Sequence, residues 1–133
     1  MKEFTLAPLK NSLASLRAAL AADFNEYTRD SAIKRFDLAY ELCWKTLRRF
    51  LAEFSGMRED MVRNVYRAAG ETGLLKNGEV EQWFAHHENR SRTAYIYEEA
   101  EAERVYAGLE DFAADAEKLL ARMEASLRKQ QCN

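Results

Sequence analysis

The sequence predicts an all-α protein: an antiparallel up-down four-helix bundle with one additional short helix. Two observations support this prediction. Apolar residues recur at steps of three and four along most of the 133 residues, which is the period of one face of an α-helix. The chain also has a single proline, Pro8, and five glycines, so long stretches contain no helix-breaking residue. We therefore expect one helical bundle domain over residues 1–133.

The first two helices have the clearest patterns. The first has an apolar face that extends to Phe24, and Pro8 lies in its first turns, where a missing N–H does least harm. Its leucines are Leu6, Leu9, Leu13, Leu16 and Leu20. The second should start near Thr28–Asp30, which offer capping side chains and negative charge, and end at Gly56. Its wide apolar stripe indicates contact with more than one neighbouring helix. The stripe comprises Ile33, Phe36, Leu38, Tyr40, Leu42, Cys43, Trp44, Leu47, Phe50, Leu51 and Phe54.

The apolar pattern is less regular in the third and fourth helices and regular again in the last helix. We expect a short third helix from about Arg58 to Ala69, a glycine-containing turn, and a fourth helix from about Glu79. The last helix should run as one long element from about Glu98, with an acidic start and a basic end that suit the helix dipole. Its apolar residues are Val105, Leu109, Phe112, Ala116, Leu119, Leu120, Met123 and Leu127.

Composition and charge argue against several classes of protein. Charged residues make up 32% and hydrophobic residues 47%, as in ordinary soluble globular domains. A net charge of −2 provides no general attraction for nucleic acid. We find no signal peptide and no apolar run of about 18 residues, so we expect a cytoplasmic protein with no membrane partner. Cys43 should be a buried free thiol and Cys132 part of a frayed tail, without a disulfide or zinc site.

Most other polar residues have patterns typical of a structural role rather than of a catalytic or metal-binding role. Glu41 and Lys45 form an i,i+4 pair with the acid first, as on a solvated helix face. His86 and His87 are adjacent, so their side chains diverge by about 100° and do not favour a shared metal ion. We expect a histidine at the rim or half-buried, and no metal. The sequence has no glycine-rich phosphate loop, and we expect no cofactor.

The segment from His87 to Tyr97 is different, because it collects Asn89, Arg90 and Tyr95 beside Tyr97 at a junction between helices. The arginine guanidinium is a planar group of donors suited to phosphate, and tyrosines add stacking surface and hydroxyl groups. Such a set can hold a nucleotide or an acidic loop of a partner. Alternatively, the two tyrosines pack at the start of a helix while the arginines are solvated. Spacing alone leaves both interpretations open.

The second helix also carries a pattern of charged and aromatic residues that is similar to the pattern of a known protein family. It comprises DSAIKRFD at 30–37, YEL at 40–42, WK at 44–45, and Leu47. It continues through Arg63, Ala68, Ala69, Gly73, Leu74, Trp83, Asn89 and Arg90. With this pattern the chain resembles, over most of residues 4–125, the nucleotidyltransferase substrate-binding proteins of the HEPN superfamily. The resemblance implies an antiparallel helical bundle, a homodimer or higher homo-oligomer, and a minimal nucleotidyltransferase partner encoded nearby. It also implies a toxin–antitoxin-like module.

The same resemblance assigns roles to individual residues. HEPN ribonucleases carry R-x-x-x-x-H, and some nucleotidyltransferase-paired members carry R-x-x-x-x-H-x-Y, in which the tyrosine accepts AMP. In this chain Arg90 matches the arginine, Tyr97 matches the acceptor, and Tyr95 replaces the histidine. A tyrosine with a pKa of ~10 does not exchange protons near neutral pH as an imidazole does. We therefore expect no ribonuclease activity from this motif.

Three hypotheses about function follow. In the first, the chain is a non-catalytic substrate-binding, nucleotide-binding or regulatory subunit of a nucleotidyltransferase. Asn89, Arg90, Tyr95 and Tyr97 then lie near the nucleotide or the partner. In the second, it is a HEPN ribonuclease toxin that acts on RNA through a degenerate site. In the third, it is a structural homo-oligomer whose arginine and tyrosine segment only seals an interface.

Overall fold

The computed structural model describes residues 3–131, and every regular element in that range is helical. Cys132 lies outside the described residues. The α-helices are α1 Ala7–Ala21, α2 Glu26–Phe54, α3 Val62–Glu71, α4 Glu79–Ser91, α5 Glu99–Ala107 and α6 Leu109–Gln131. A 3₁₀ helix, Arg92–Tyr95, follows α4 directly. The prediction of an all-α bundle is confirmed, with α3 as the additional short helix.

The longest helix, α2, contacts α1, α3, α4, α5 and α6. An aromatic cluster lies where α2, α3, α4 and α6 meet: Phe36, Tyr40, Tyr66, Trp83 and Phe112 are all buried. The Phe112 ring centroid lies 5.0 Å from that of Phe36 and 5.8 Å from that of Trp83, both edge-on. Aromatic pairs of this geometry contribute about 0.5–1.5 kcal/mol beyond the burial of their area. Two polar residues of α4 pack against this cluster: the His87 ring contacts Tyr40, and the His86 ring contacts Phe112.

The start of α2 differs from the prediction by a few residues. Asn25, not Thr28 or Asp30, caps the helix: its Oδ1 accepts hydrogen bonds from the backbone N–H of Tyr27 at 2.8 Å and of Thr28 at 2.9 Å. The hydroxyl of Thr28 in turn accepts from the backbone N–H of Asn25 at 2.9 Å. Thr28 is therefore the second half of a capping box, three residues inside the helix, which is why its capping chemistry suggested a later start.

Other details of α2 are partly as expected. Gly56 has a positive φ of 68°, and the N–H of Met57 donates to the carbonyl of Leu51, so the predicted glycine stop is confirmed. Cys43 is fully buried, as predicted, and burial raises the pKa of its thiol to about 12. Leu38, in contrast, is 58% exposed and does not broaden the buried stripe.

The prediction of one long last helix is wrong, because the chain breaks between α5 and α6 at Gly108. The carbonyl of Val105 accepts the N–H of Gly108 at 3.1 Å and also the side-chain amide of Asn89 at 3.1 Å. That carbonyl would accept the N–H of residue 109 in a continuous α-helix. A side chain from α4 thus takes part in the break, and no local pattern in residues 98–127 reveals it.

The predicted start of α3 at Arg58 is also early, since the helix begins at Val62. Pro8 falls within the first two positions of α1, as predicted. No helix within residues 3–131 is long and apolar enough to cross a membrane.

Candidate functional site

The predicted segment from His87 to Tyr97 runs along the last turns of α4, through the 3₁₀ helix and into the turn before α5. Tyr95 is 57% exposed and Tyr97 is 80% exposed. The two tyrosines do not pack at the start of α5. Their rings and hydroxyl groups face solvent, which makes them accessible to a partner or a ligand.

Arg90 joins this segment to α2 through an ion pair. Its Nε lies 2.6 Å from Oδ1 of Asp37, and both side chains remain about one third exposed. These two atoms are themselves buried and are close without the alignment of a hydrogen bond. The arginine is therefore held near α2, while part of its hydrogen-bonding capacity stays unused.

Asn89 is placed differently from the other three predicted site residues. It is buried, and its amide donates to the carbonyl of Val105. Its Oδ1 lies 3.4 Å from a guanidinium nitrogen of Arg92. Asn89 thus ties α4 to the junction of α5 and α6 beneath the surface on which Arg90, Tyr95 and Tyr97 lie.

The far end of the segment is anchored by Arg29, a buried residue near the start of α2. Its Nε donates to Asp30 at 3.0 Å, and its two terminal nitrogens contact the carboxylate of Glu99 in the first turn of α5. The pKa of Arg29 is raised, first by the hydrogen bond to Glu99 and then by that to Asp30. Glu99 lies two residues beyond Tyr97, so this contact joins the chain just after the exposed tyrosines to the start of α2.

A hydrogen-bonded network of Tyr40, Tyr66 and His87 lies near Arg90, and the sequence analysis did not predict it. The hydroxyl of Tyr40 lies 2.6 Å from the hydroxyl of Tyr66 and 2.9 Å from Nδ1 of His87. Burial raises the pKa of both tyrosines, so both hydroxyl groups stay protonated. Burial, then the charges of Arg63 and Arg90, lower the pKa of His87. His87 is therefore a neutral imidazole at neutral pH.

The helical spacing of His87 and Arg90 was a signal for this proximity, because residues three apart share a helix face. The family motif places its histidine after the arginine, so His87, which precedes Arg90, was not among the predicted site residues. His86 points the other way, as the angle between adjacent residues predicts. It is buried, with Nε2 2.7 Å from Oδ2 of Asp115. Within residues 3–131 no three histidine, cysteine or carboxylate side chains are grouped to hold a metal ion.

The chain is similar in sequence and in structure to several known proteins. A protein of Haemophilus influenzae described as a probable ribonuclease HepT is 29% identical over 96 residues, which is 69% of this chain. The match spans 64% of that relative's length, slightly less than two thirds. A crystal structure of a protein from Thermus thermophilus has a TM-score of 0.82 and 33% identity, covering 86% of this chain and 98% of that one.

A more distant structure shares the fold. The tri-AMPylated HEPN toxin of Shewanella oneidensis, in complex with MNT antitoxin, has a TM-score of 0.72 and 13% identity, covering 90% of this chain and 93% of that one. The family model described as nucleotidyltransferase substrate binding protein like matches residues 4–125, from before α1 to within α6. The chain therefore belongs to the nucleotidyltransferase substrate-binding protein family, and its fold is that of the HEPN proteins.

Proposed function

We propose that this chain is a non-catalytic subunit that pairs with a separately encoded nucleotidyltransferase in a toxin–antitoxin-like module. The observation that carries the proposal is the exposure of Tyr95 and Tyr97, in the segment that follows Arg90 at the end of α4. The family to which the chain belongs supports the nucleotidyltransferase connection. So does the Shewanella oneidensis protein of the same fold, which is described as AMPylated and in complex with an antitoxin.

In this proposal Tyr97 accepts AMP from the partner enzyme. The phenolic oxygen attacks the α-phosphorus of ATP, a new O–P bond forms, pyrophosphate leaves, and the phenolic proton passes to solvent or to a base of the partner. Nothing in this chain has to catalyse the step, since the nucleotidyltransferase supplies the active site. Tyr97 has only to reach that site, and its exposure of 80% permits this.

We further propose that the chain works in the cytoplasm as a single domain and as a homodimer or higher homo-oligomer. Several large apolar side chains are exposed in the monomer and are available for contacts between copies or with the partner. They are Phe24, Tyr27, Leu38, Met61, Tyr95, Ile96 and Tyr97. A purely structural oligomer would use the same surface without any nucleotide chemistry.

A second candidate function is RNA cleavage, favoured by the description of the Haemophilus influenzae relative as a probable ribonuclease. The residue five positions after Arg90 is Tyr95, which does not serve as a proton acceptor near neutral pH. Cleavage would therefore need another base, and His87 is the histidine that the fold brings next to Arg90. Loss of RNA cleavage in His87→Ala but not in Tyr95→Phe would identify that route.

The test is co-expression of the tagged chain with the nucleotidyltransferase encoded beside it, followed by incubation with ATP and Mg²⁺ and by peptide mass spectrometry. We expect a stable complex and the mass of AMP on the peptide containing Tyr97. Tyr97→Phe should abolish the modification, whereas Tyr27→Phe, which alters a tyrosine that is 86% exposed on α2, should leave it unchanged. Failure to form a complex would overturn the proposal. A complex with no added AMP would retain the partnership and remove the role of Tyr97.

A further inference from the structure

His87 has one ring nitrogen fixed inside the protein and the other free. Nδ1 lies 2.9 Å from the hydroxyl of Tyr40, which is itself 2.6 Å from the hydroxyl of Tyr66. Because Tyr40 is buried in the core, this contact fixes the orientation of the imidazole. Nε2 has no hydrogen-bond partner within residues 3–131, and the ring is only half-buried. The imidazole is therefore held through Nδ1, and Nε2 is left without a partner inside the fold.

Two arginines from different helices lie near His87. Arg90 follows His87 by three residues on α4 and lies on the same face. Arg63, from α3, lies with its guanidinium carbon 5.4 Å from the ring centroid of Phe84, one turn before His87 on α4. The charges of both arginines lower the pKa of His87. Phe84, His87 and Arg90 thus form a line along α4, with Arg63 beside it.

The acidic groups nearby pair with Arg90 through one nitrogen and do not pair with Arg63 within residues 3–131. The groups around His87 are Asp37, Tyr40 and Glu41 from α2, Arg63 and Tyr66 from α3, and Glu88 and Arg90 from α4. Asp37 contacts Arg90 without a well-aligned hydrogen bond, and Arg63 makes no ion pair within residues 3–131. Arg63 is exposed and His87 and Arg90 are half-buried, so the three side chains belong to one solvent-accessible patch on α3 and α4.

We propose that this patch is a binding site for a phosphate group, which accepts hydrogen bonds from Arg63, from Arg90 and from Nε2 of His87. Guanidinium forks and an imidazole N–H are the donors that proteins use for phosphate oxygens. When Nδ1 accepts from the Tyr40 hydroxyl, Nε2 carries the proton and points outward as a donor. The site uses only residues of this chain, so the absence of a nucleotidyltransferase partner would leave the inference intact.

Phosphate binding at this site is linked to protonation of His87. The bound anion stabilises the imidazolium form, so the pKa of His87 rises and a proton is taken up on binding. Protonated Nδ1 then donates to the Tyr40 oxygen, and the Tyr40 hydroxyl donates to Tyr66. The buried Tyr66 hydroxyl then has no acceptor among the residues that the structure describes, so the network opposes protonation of His87 until an anion binds. Binding should therefore strengthen as the pH falls through the pKa of His87.

The test uses the intact chain alone and inorganic phosphate as the probe. The ring C–H signals of both histidines are followed by NMR from about pH 5 to about pH 8, with phosphate or with chloride at equal ionic strength. Phosphate should raise the pKa of His87. His86, which is buried against Asp115, is the internal control and should not respond. Unchanged titration of His87 in phosphate, or equal shifts of both histidines, would overturn the proposal.

Two matched arginine variants separate a site from general charge attraction. Arg63→Ala removes a proposed ligand and should weaken phosphate binding by about tenfold or more. Arg67→Ala removes the same charge one turn away, from a guanidinium at the same 5.4 Å from the Phe84 ring, and should leave affinity within about twofold. Both arginines are exposed, so neither variant should unfold the protein. Equal losses in the two variants would show that no specific site exists.

A parallel titration with AMP identifies the source of the phosphate group. Affinity at least about tenfold higher for AMP than for inorganic phosphate would show that the site selects a nucleotide. Equal affinities would show that it recognises the phosphate group alone. Failure of AMP to compete with bound inorganic phosphate would overturn the site as a place where nucleotides bind.

Discussion

The side-chain amide nitrogen of Asn89 lies 2.7 Å from the point that a Cβ atom would occupy at Gly108. Real Cβ atoms do not approach other atoms so closely, so a glycine is required at this junction as long as Asn89 stays in place. The backbone of Gly108, with φ −95°, is accessible to any residue. The requirement thus comes from packing between α4 and the α5–α6 junction alone.

We predict that Gly108→Ala destabilises the protein by about 1–3 kcal/mol, because the new methyl group displaces Asn89 from the Val105 carbonyl. Urea denaturation followed by circular dichroism measures the effect. In an Asn89→Ala background the same substitution should be neutral or slightly stabilising, since the obstacle is gone. Equal destabilisation in both backgrounds would contradict this explanation.

The contact between Arg90 and Asp37 should contribute modestly to stability, with a coupling of about 0.5–1 kcal/mol in a double-mutant cycle of Arg90→Ala and Asp37→Ala. The side chains are 38% and 30% exposed, so solvent screens the pair, and the coupling should fall in high salt. Unfolding free energies of the four proteins at low and high salt give the value. A coupling near zero at low salt would show that the pair does not hold Arg90 in place.

The contribution of Glu79 to stability should be visible in the pH dependence of unfolding. Hydrogen bonds from Arg122, above all, lower the pKa of this carboxyl from 4.5 to about 2. A depressed pKa means that the unfolded chain binds the proton first, so this contribution to stability is complete above pH 4.5. It is lost as the pH falls towards 2.

Melting temperatures of the wild type and of Arg122→Gln across that acidic range test this assignment. The variant should be less stable near neutral pH, and its melting temperature should fall less on acidification. Parallel curves for the two proteins would mean that Glu79 owes its pKa to another partner, of which the backbone N–H of Lys76, at 2.6 Å, is the first candidate.

Loss of Arg29 should loosen the start of α5. In Arg29→Ala the carboxylate of Glu99 loses its buried partner, and we expect faster amide hydrogen exchange at residues 98–102 and a lower melting temperature. Arg35→Ala is the matched control on the same helix, because Arg35 donates to the Ser15 carbonyl of α1 at 2.9 Å. That variant should affect the middle of α1, near Ser15, and leave α5 protected. If both variants behave alike, the Arg29 contact has no specific role in positioning Tyr97.

Most of the helices and much of the core could be predicted from sequence, because amphipathic periodicity and capping are local properties of the chain. Leu9, Phe36 and Phe112 all lie on predicted apolar faces and are fully buried. The errors arose where a local signal had a second explanation. Thr28 completes a capping box that Asn25 begins, and the apolar repeat of the last helix continues through Gly108 although the backbone does not.

Some residues of the candidate site were also predicted from sequence, and others were found only in the structure. The all-α class, the family resemblance, and the segment holding Arg90, Tyr95 and Tyr97 follow from residue types at short spacings along the chain. The packing of the helices was needed to show that His87 contacts Tyr40, that Tyr40 contacts Tyr66, and that Asn89 turns inward to Val105. Those contacts join residues 16 to 47 positions apart. They depend on how whole helices pack, which no periodicity within a single helix specifies.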